Sequence, residues 1–295
     1  MHLDYPLLAA LTAVVRTGSF EKAGAALHIT ASAVSQRVKL LEDRLGAVLV
    51  LRGQPCVATP VGERLIRHAD AVDLLEAALG SDLRGLVPTD RPATLRIAIP
   101  ADSLATFFID AMARVNGVLF DLVLDDQDHS ADWLRRGEVA AAVTAQARPI
   151  QGCDRRNLGA LRYVATASPA FRDRWFAGGL TADSLANAPC LTFNAKDALQ
   201  RNWVESVLGT APVLPTHWLP ASQAFIDATL AGVGWGMNPE CLVRDHIAAG
   251  RLVALVPDRP LDVPLAWQWS RLIGDALAPV TAAVRAAAAD WLQSP

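Results

Sequence analysis

The chain of 295 residues has four cysteines, two tyrosines and six histidines, and none of these forms a cluster. Cys56, Cys153, Cys190 and Cys241 stand far apart with no C-x-x-C pair, which excludes a disulfide framework and a zinc-type spacing and leaves buried thiols as the expectation. No apolar run approaches the roughly 20 residues that cross a bilayer, and no charged segment followed by a short apolar stretch opens the sequence. A cytoplasmic protein without a membrane partner is expected. Enzyme signatures are missing as well: there is no G-x-S-x-G elbow, Walker A loop or H-E-x-x-H helix, and His129, His217 and His246 are scattered. Gly232-Val233-Gly234-Trp235-Gly236 has some glycine spacing of a dinucleotide loop, but the order strand, glycines, helix is absent. It reads as a strand with tight flanking turns. No catalytic group, cofactor or metal site is therefore expected.

What is present is ordinary globular material, 52% hydrophobic and 19% charged with a net charge of −3, long enough for two domains. Leu8, Leu11 and Val15 give residues 4–17 the apolar stripe of a helix, which Gly18 ends. Ser19 is a good N-cap for a second short helix with Phe20, Ala23 and Leu27 on one face. Within it Gly24 lowers helix propensity, so its smallness should serve a close helix crossing. After the turn 28–30, Thr30 or Ser32 can cap a third helix that runs to Leu45, with Val34, Val38, Leu41 and Leu45 facing inward. Ser32, Ser35, Gln36 and Lys39 recur at helical spacing on another face. Serine and glutamine can read base edges, lysine can neutralise phosphate, and a helix of this width fits the major groove. Residues 47–52 and 56–58 read as a hairpin wing whose Arg52 can reach backbone phosphate. Charge alone would not reveal a DNA reader, because residues 1–60 hold only six Lys or Arg against four Asp or Glu.

The stretch "GSFEKAGAALHITASAVSQRVKLLEDRLGAVLVLR", followed by Thr59-Pro60-Val61-Gly62, resembles the N-terminal domain of the LysR-type transcriptional regulators. One departure is Leu51, where that family often carries a polar or acidic residue. The resemblance implies a winged helix-turn-helix over 1–60 that binds double-stranded promoter DNA through Ser19, Thr30, Ser32, Ser35, Gln36, Lys39 and Arg52. Residues 61–85 keep an apolar helical repeat too long for a lone exposed helix, and a linker helix that pairs with its own copy is expected. Such a homodimer sets two reading helices roughly 34 Å apart, one turn of DNA, and pairs of dimers would give a homotetramer. Residues 86–92, with two prolines, read as a hinge.

From residue 93 short apolar runs alternate with helical patterns, the signature of an α/β domain. Strands are expected at 95–99, 120–124, 140–144, 162–166, 190–193, 233–237, 252–256 and 265–269. Helices are expected at 104–114, 130–136, 196–208, 223–231, 239–249 and 275–292. Ligands in such sheets bind beyond the carboxyl ends of the strands. Those ends carry Asp102, Ser103, Asp126, Asp128, Thr144, Asn194, Ser222 and Gln223, whose hydroxyls suit a carboxylate and whose acids suit an amine or guanidinium. A solvated strand end or a metal site are the other readings of the acids at 125, 126 and 128, and loop serines and aspartates cap helices routinely. Trp235, Trp267 and Trp269 read as core packing, with a place along the cleft as the alternative.

The second domain, 93–295, resembles a LysR-type effector domain: a periplasmic-binding-protein-like fold of two lobes, 93–162 with 268–295 and 163–267. More narrowly, "IPADSLATFF", "DDQDHSADWLRRGEVAAAVTAQ", "LGALRYVATASPAF" and "PASQAFIDATLAGVGWGM" are similar to the branch that regulates export of arginine and lysine. This implies that lysine or arginine binds in the cleft and controls transcription of an exporter gene. The alternatives are a LysR-type regulator of another small molecule, a DNA-binding protein with no effector, and an enzyme built on a binding-protein fold.

Overall fold

The computed structural model describes residues 3–82, 92–125, 130–146 and 148–294. The chain divides into two units, one built from residues 1–96 with 117–121 and 136–140, the other from 97–116, 122–135 and 141–295.

The first unit opens with three helices, α1 (Tyr5–Thr17), α2 (Phe20–Leu27) and α3 (Ala31–Leu45). Gly18 and Gly46 end α1 and α3 in the left-handed conformation, and Ser19 and Thr30 cap α2 and α3 through their hydroxyls. Leu8, Leu11, Val14, Ala23, Val34, Val38 and Leu41 are buried together, so the apolar stripes of all three helices share one core. Gly24 is required for a different reason than the helix crossing expected from sequence. A Cβ there would stand 2.8 Å from the Ile29 carbonyl oxygen and 3.1 Å from the Ala31 nitrogen. It is the turn between α2 and α3, folded back over the helix, that needs the space.

Two short antiparallel strands, β1 (Val50–Leu51) and β2 (Val57–Ala58), make the wing, and α4 (Pro60–Asp82) follows. Glu42 of α3 fastens the wing: its Oε1 accepts from the backbone N–H of Leu49 at 2.8 Å and of Val50 at 3.4 Å. Thr59 fastens α4, donating to the Val48 carbonyl at 2.8 Å and accepting from Gly62 N–H at 3.2 Å. Gly62 passes so close to β1 that a Cβ would lie 2.2 Å from the Leu49 carbonyl oxygen. Arg16 and Asp70 pair at 2.7 Å between α1 and α4.

Beyond residue 92 come β3 (Ala93–Ile99), α5 (Ala101–Ser103), a π-helical turn (Leu104–Phe108), α6 (Ile109–Ala113), β4 (Val118–Leu124), α7 (Ser130–Arg135) and β5 (Ala141–Thr144). Then follow β6 (Cys153–Ala167), α8 (Pro169–Trp175), α9 (Ala182–Asn187), β7 (Cys190–Thr192), α10 (Leu199–Leu208) and β8 (Thr216–Trp218). The chain closes with α11 (Ser222–Leu230), β9 (Gly236–Pro239), α12 (Glu240–Ala248), β10 (Val253–Ala254), β11 (Leu261–Ser270), a 3-10 turn and α13 (Ala278–Trp291). Seven strands form a mixed sheet in the order β10-β6-β11-β5-β3-β4, with β9 pairing off β6, and β7 and β8 form a parallel pair. The long strands β6 and β11 run antiparallel side by side, from Leu261 opposite Tyr163 to Ser270 opposite Cys153.

Several elements differ from the sequence expectation. β6 is three times the expected length, because pairing with β11 holds the polar stretch 154–157 extended. β9 begins three residues later than expected, since Gly232 turns with a positive φ and only residues 236–239 pair with β6. Of the expected hinge only Pro92 is described. Trp235 and Trp267 are fully buried, Trp235 against Trp203 with ring centroids 5.5 Å apart, and Trp269 is 8% exposed. All three are core. Cys56, Cys153 and Cys190 are buried free thiols and Cys241 is half-buried; desolvation raises the last three above the usual thiol range. Among the described residues no helix is long and apolar enough to cross a membrane.

Candidate functional site

Two surfaces carry the chemistry, one in each unit. In the first, α3 presents Ser32, Gln36 and Lys39 to solvent, with Ser35 half-buried beside them. Arg52 leaves the wing with its guanidinium 5.0 Å over the Phe20 ring and 3.5 Å from Ser35 Oγ. A cation stacked on an aromatic face is held in place while its outer N–H groups stay available. Ser32, Ser35, Gln36, Lys39 and Arg52 therefore lie on one face, polar and basic. Ser19 and Thr30 do different work: Ser19 Oγ accepts from Glu21 and Lys22 N–H and donates to Glu21 at 2.7 Å, and Thr30 Oγ1 accepts from Ala33 N–H at 3.1 Å. Both oxygens cap helices.

In the second unit β3 leads directly into α5, which puts Asp102 in a first helical turn at the strand's carboxyl end. Its Oδ2 accepts from the Tyr163 hydroxyl at 2.9 Å and its Oδ1 from Ser222 Oγ at 2.6 Å. Tyr163 comes from β6 and Ser222 opens α11, so one carboxylate ties together three elements far apart in the chain. Asp102, Phe193, Asp197, Gln200, Ser222 and Asn238 line a small cavity. Burial raises the Asp102 carboxyl above the usual carboxylate range, against the lowering effect of the two hydroxyl donors. Asp197 shapes the approach to α10, its carboxylate accepting from the backbone N–H of Phe193 at 3.0 Å and of Leu199 at 2.9 Å. Beside these, Lys196 pairs with Asp125 at 3.3 Å. The cavity is rich in acceptors and carries negative charge, the chemistry that holds an ammonium or guanidinium.

The structure brings Asp102 and Ser222 together as lining of this cavity, with Ser103 buried next to Asp102. Thr144, Asn194 and Gln223 are not among its described lining residues. Thr144 is fully buried and accepts from Gln268 at 2.9 Å; Asn194 is turned onto the Lys196 backbone N–H at 2.7 Å; Gln223 lies on the exposed side of α11 and donates to Asp227 at 3.2 Å. Asp126 and Asp128 lie outside the described residues. Sequence reasoning missed Tyr163, Gln200 and Asn238. Tyr163, one of only two tyrosines and placed in an expected strand, carried a weak signal; Gln200 and Asn238 carried none.

A family description of the bacterial regulatory helix-turn-helix proteins of the lysR family matches residues 6–63, and that of the LysR substrate binding domain matches residues 89–293. The chain belongs to the LysR family. As a LysR-type protein it is a DNA-binding transcriptional regulator, not an enzyme, and residues 6–63 are its helix-turn-helix region. It is 44% identical over 286 residues to the HTH-type transcriptional regulator LysG of Mycobacterium bovis, covering 97% of this chain and 94% of that one. A crystal structure of ArgP from Mycobacterium tuberculosis superposes with a TM-score of 0.80 at 42% identity, covering 100% of both chains. Full-length LysG from Corynebacterium glutamicum, solved with bound effector Arg, superposes with a TM-score of 0.65 at 38% identity over 99% of this chain and 100% of that one. The LysR-type fold thus accounts for both units, helix-turn-helix and mixed α/β.

Proposed function

We propose that this LysR-type regulator senses a basic amino acid, lysine or arginine, in the cavity around Asp102 and controls transcription of an amino-acid exporter gene. The observation that carries the reading is the Asp102 carboxylate, held by Tyr163 and Ser222 in an acceptor-rich cavity. An effector ammonium there neutralises the negative charge of the half-buried carboxylate. The bound arginine of the Corynebacterium glutamicum relative supports the same chemistry. In this reading residues 1–60 bind promoter DNA with Ser32, Ser35, Gln36, Lys39 and Arg52 toward it, 61–85 pair two copies, 86–92 form a hinge and 93–295 bind the effector. Val61, Leu75 and Leu79 on α4, each at least 45% exposed, supply apolar surface for a homodimer, and dimers would pair into a tetramer. Binding shifts the regulator only if the ligand favours one arrangement of the effector domain over the other.

Footprinting on the intergenic region beside the gene, with and without lysine and arginine, tests this reading. A bounded footprint that changes its length or its hypersensitive sites on adding either amino acid is expected. Sequence-indifferent, salt-sensitive coverage unaffected by them would refute it.

A further inference from the structure

Two buried amides beside Asp102 hold polar atoms that no protein group satisfies. Gln200, in the first turn of α10, is 2% exposed, and neither its Oε1 nor its Nε2 makes a hydrogen bond; Asn238, in β9, is 1% exposed, and its Oδ1 is unpartnered. Both line the cavity shared with Asp102 and Ser222. Buried amides without partners are rare in folded proteins, because desolvation without a compensating bond disfavours them. Two on one cavity indicate a polar occupant.

The direction of the Asn238 amide follows from its neighbours. Thr229 Oγ1 donates to the Phe225 carbonyl at 2.8 Å, so toward Asn238 it can only accept, and it faces Nδ2 at 3.3 Å. Thr166 Oγ1 accepts from the same Nδ2 at 2.9 Å. The amide nitrogen is thereby committed to the protein, and Oδ1 is left for the cavity. Three residues with oxygen acceptors then line one cavity: Asp102 with its carboxylate, Asn238 with Oδ1 and Gln200 with Oε1. One negative charge with two amide oxygens complements a primary ammonium, which has three N–H donors arranged tetrahedrally, better than a planar guanidinium fork. Gln200 adds the detail that selects among ammonium groups. Its amide offers an unpartnered donor beside the unpartnered acceptor, which matches an ammonium and a carboxylate carried on one carbon.

We propose that Asp102, Gln200 and Asn238 bind the α-ammonium group of the amino-acid effector, with Gln200 Nε2 donating to its α-carboxylate. This rests on the effector reading above and names the part of the ligand the cavity grips, the part lysine and arginine have in common. The side-chain cation then projects away from Gln200.

Calorimetric titrations of the full-length protein and of Gln200→Met with lysine, arginine and ε-aminocaproic acid, which is lysine without its α-amino group, test it. Wild type should bind lysine well above ε-aminocaproic acid. Gln200→Met should lose about tenfold in affinity for lysine and arginine alike and clearly less for ε-aminocaproic acid, which offers Gln200 only the carboxylate contact. Without ligand the variant should melt no lower than wild type, since the amide removed had no partner. Equal wild-type binding of lysine and ε-aminocaproic acid would overturn the assignment whatever the variant does. So would unchanged lysine affinity in the variant, or a parallel loss for both ligands. A wild type that binds neither lysine nor arginine refutes the effector reading itself, an outcome visible without the variant.

Discussion

Replacing Asp102 by Asn keeps the shape of the side chain and removes its charge. In the ligand-free protein the change is mild. An amide can still accept from Tyr163 and donate to Ser222, whose hydroxyl can turn, and it relieves the desolvation that raises the Asp102 carboxyl. The thermal midpoint should stay within about 4 °C of wild type, equivalent to roughly 1 kcal/mol for a domain of this size. Ligand binding is where the loss falls. Removing one partner of a desolvated ion pair costs about 2–5 kcal/mol, and because Asp102 is only half-buried the lower half of that range applies. A weakening of roughly 30- to 350-fold in Kd for lysine or arginine follows. The pH dependence supplies an internal check. A cationic ligand binds the ionised carboxylate, so wild-type affinity is full above the raised Asp102 range and is lost as the pH falls through it. In Asp102→Asn that acid limb should flatten. Titration calorimetry from pH 8 to pH 5 measures both effects. Affinity within about twofold of wild type, together with an unchanged acid limb, would remove Asp102 from the binding site.

Three further outcomes concern the reading head. Ser35→Ala with Gln36→Ala should weaken binding to the specific operator by about 1–3 kcal/mol while leaving non-specific binding intact, measured by gel shift against a scrambled duplex. Glu42→Ala leaves the N–H groups of Leu49 and Val50 without their acceptor, and a loss of about 1–3 kcal/mol in thermal or denaturant stability is expected. Gly62→Ala forces α4 away from the Leu49 carbonyl and should destabilise the same unit by at least about 1–3 kcal/mol. An unaltered melting curve would show that the chain absorbs the contact by shifting.

The reading head was legible in the sequence because its signals are local. Ser19 and Thr30 cap the helices they precede, Gly46 ends α3, and the stripe through Val34, Val38 and Leu41 is buried as its spacing required. The role of Glu42 was hidden because its partners are backbone N–H groups seven and eight residues on, which no side-chain pattern announces. In the second unit the carboxyl end of β3 gave away Asp102 and the start of α11 gave away Ser222. Thr144 sits at a strand end too, yet Gln268 claims its hydroxyl from β11, a pairing set by sheet order alone. Asn238 fell outside the expected strand because β9 runs on to Pro239, two residues beyond the expected end. Gln200 reads as a surface residue near the start of a helix. Only the packing of α10 beside β9 and α5 makes it a buried amide on a cavity.

Titration of the full-length protein with arginine, lysine and a neutral amino acid such as leucine, followed by tryptophan fluorescence or calorimetry, addresses the central claim most directly. Saturable binding of arginine or lysine, with no response to leucine at the same concentrations, is expected of a site selective for a basic amino acid. Equal responses to all three, or none to any, would contradict a cleft built to sense a basic amino acid.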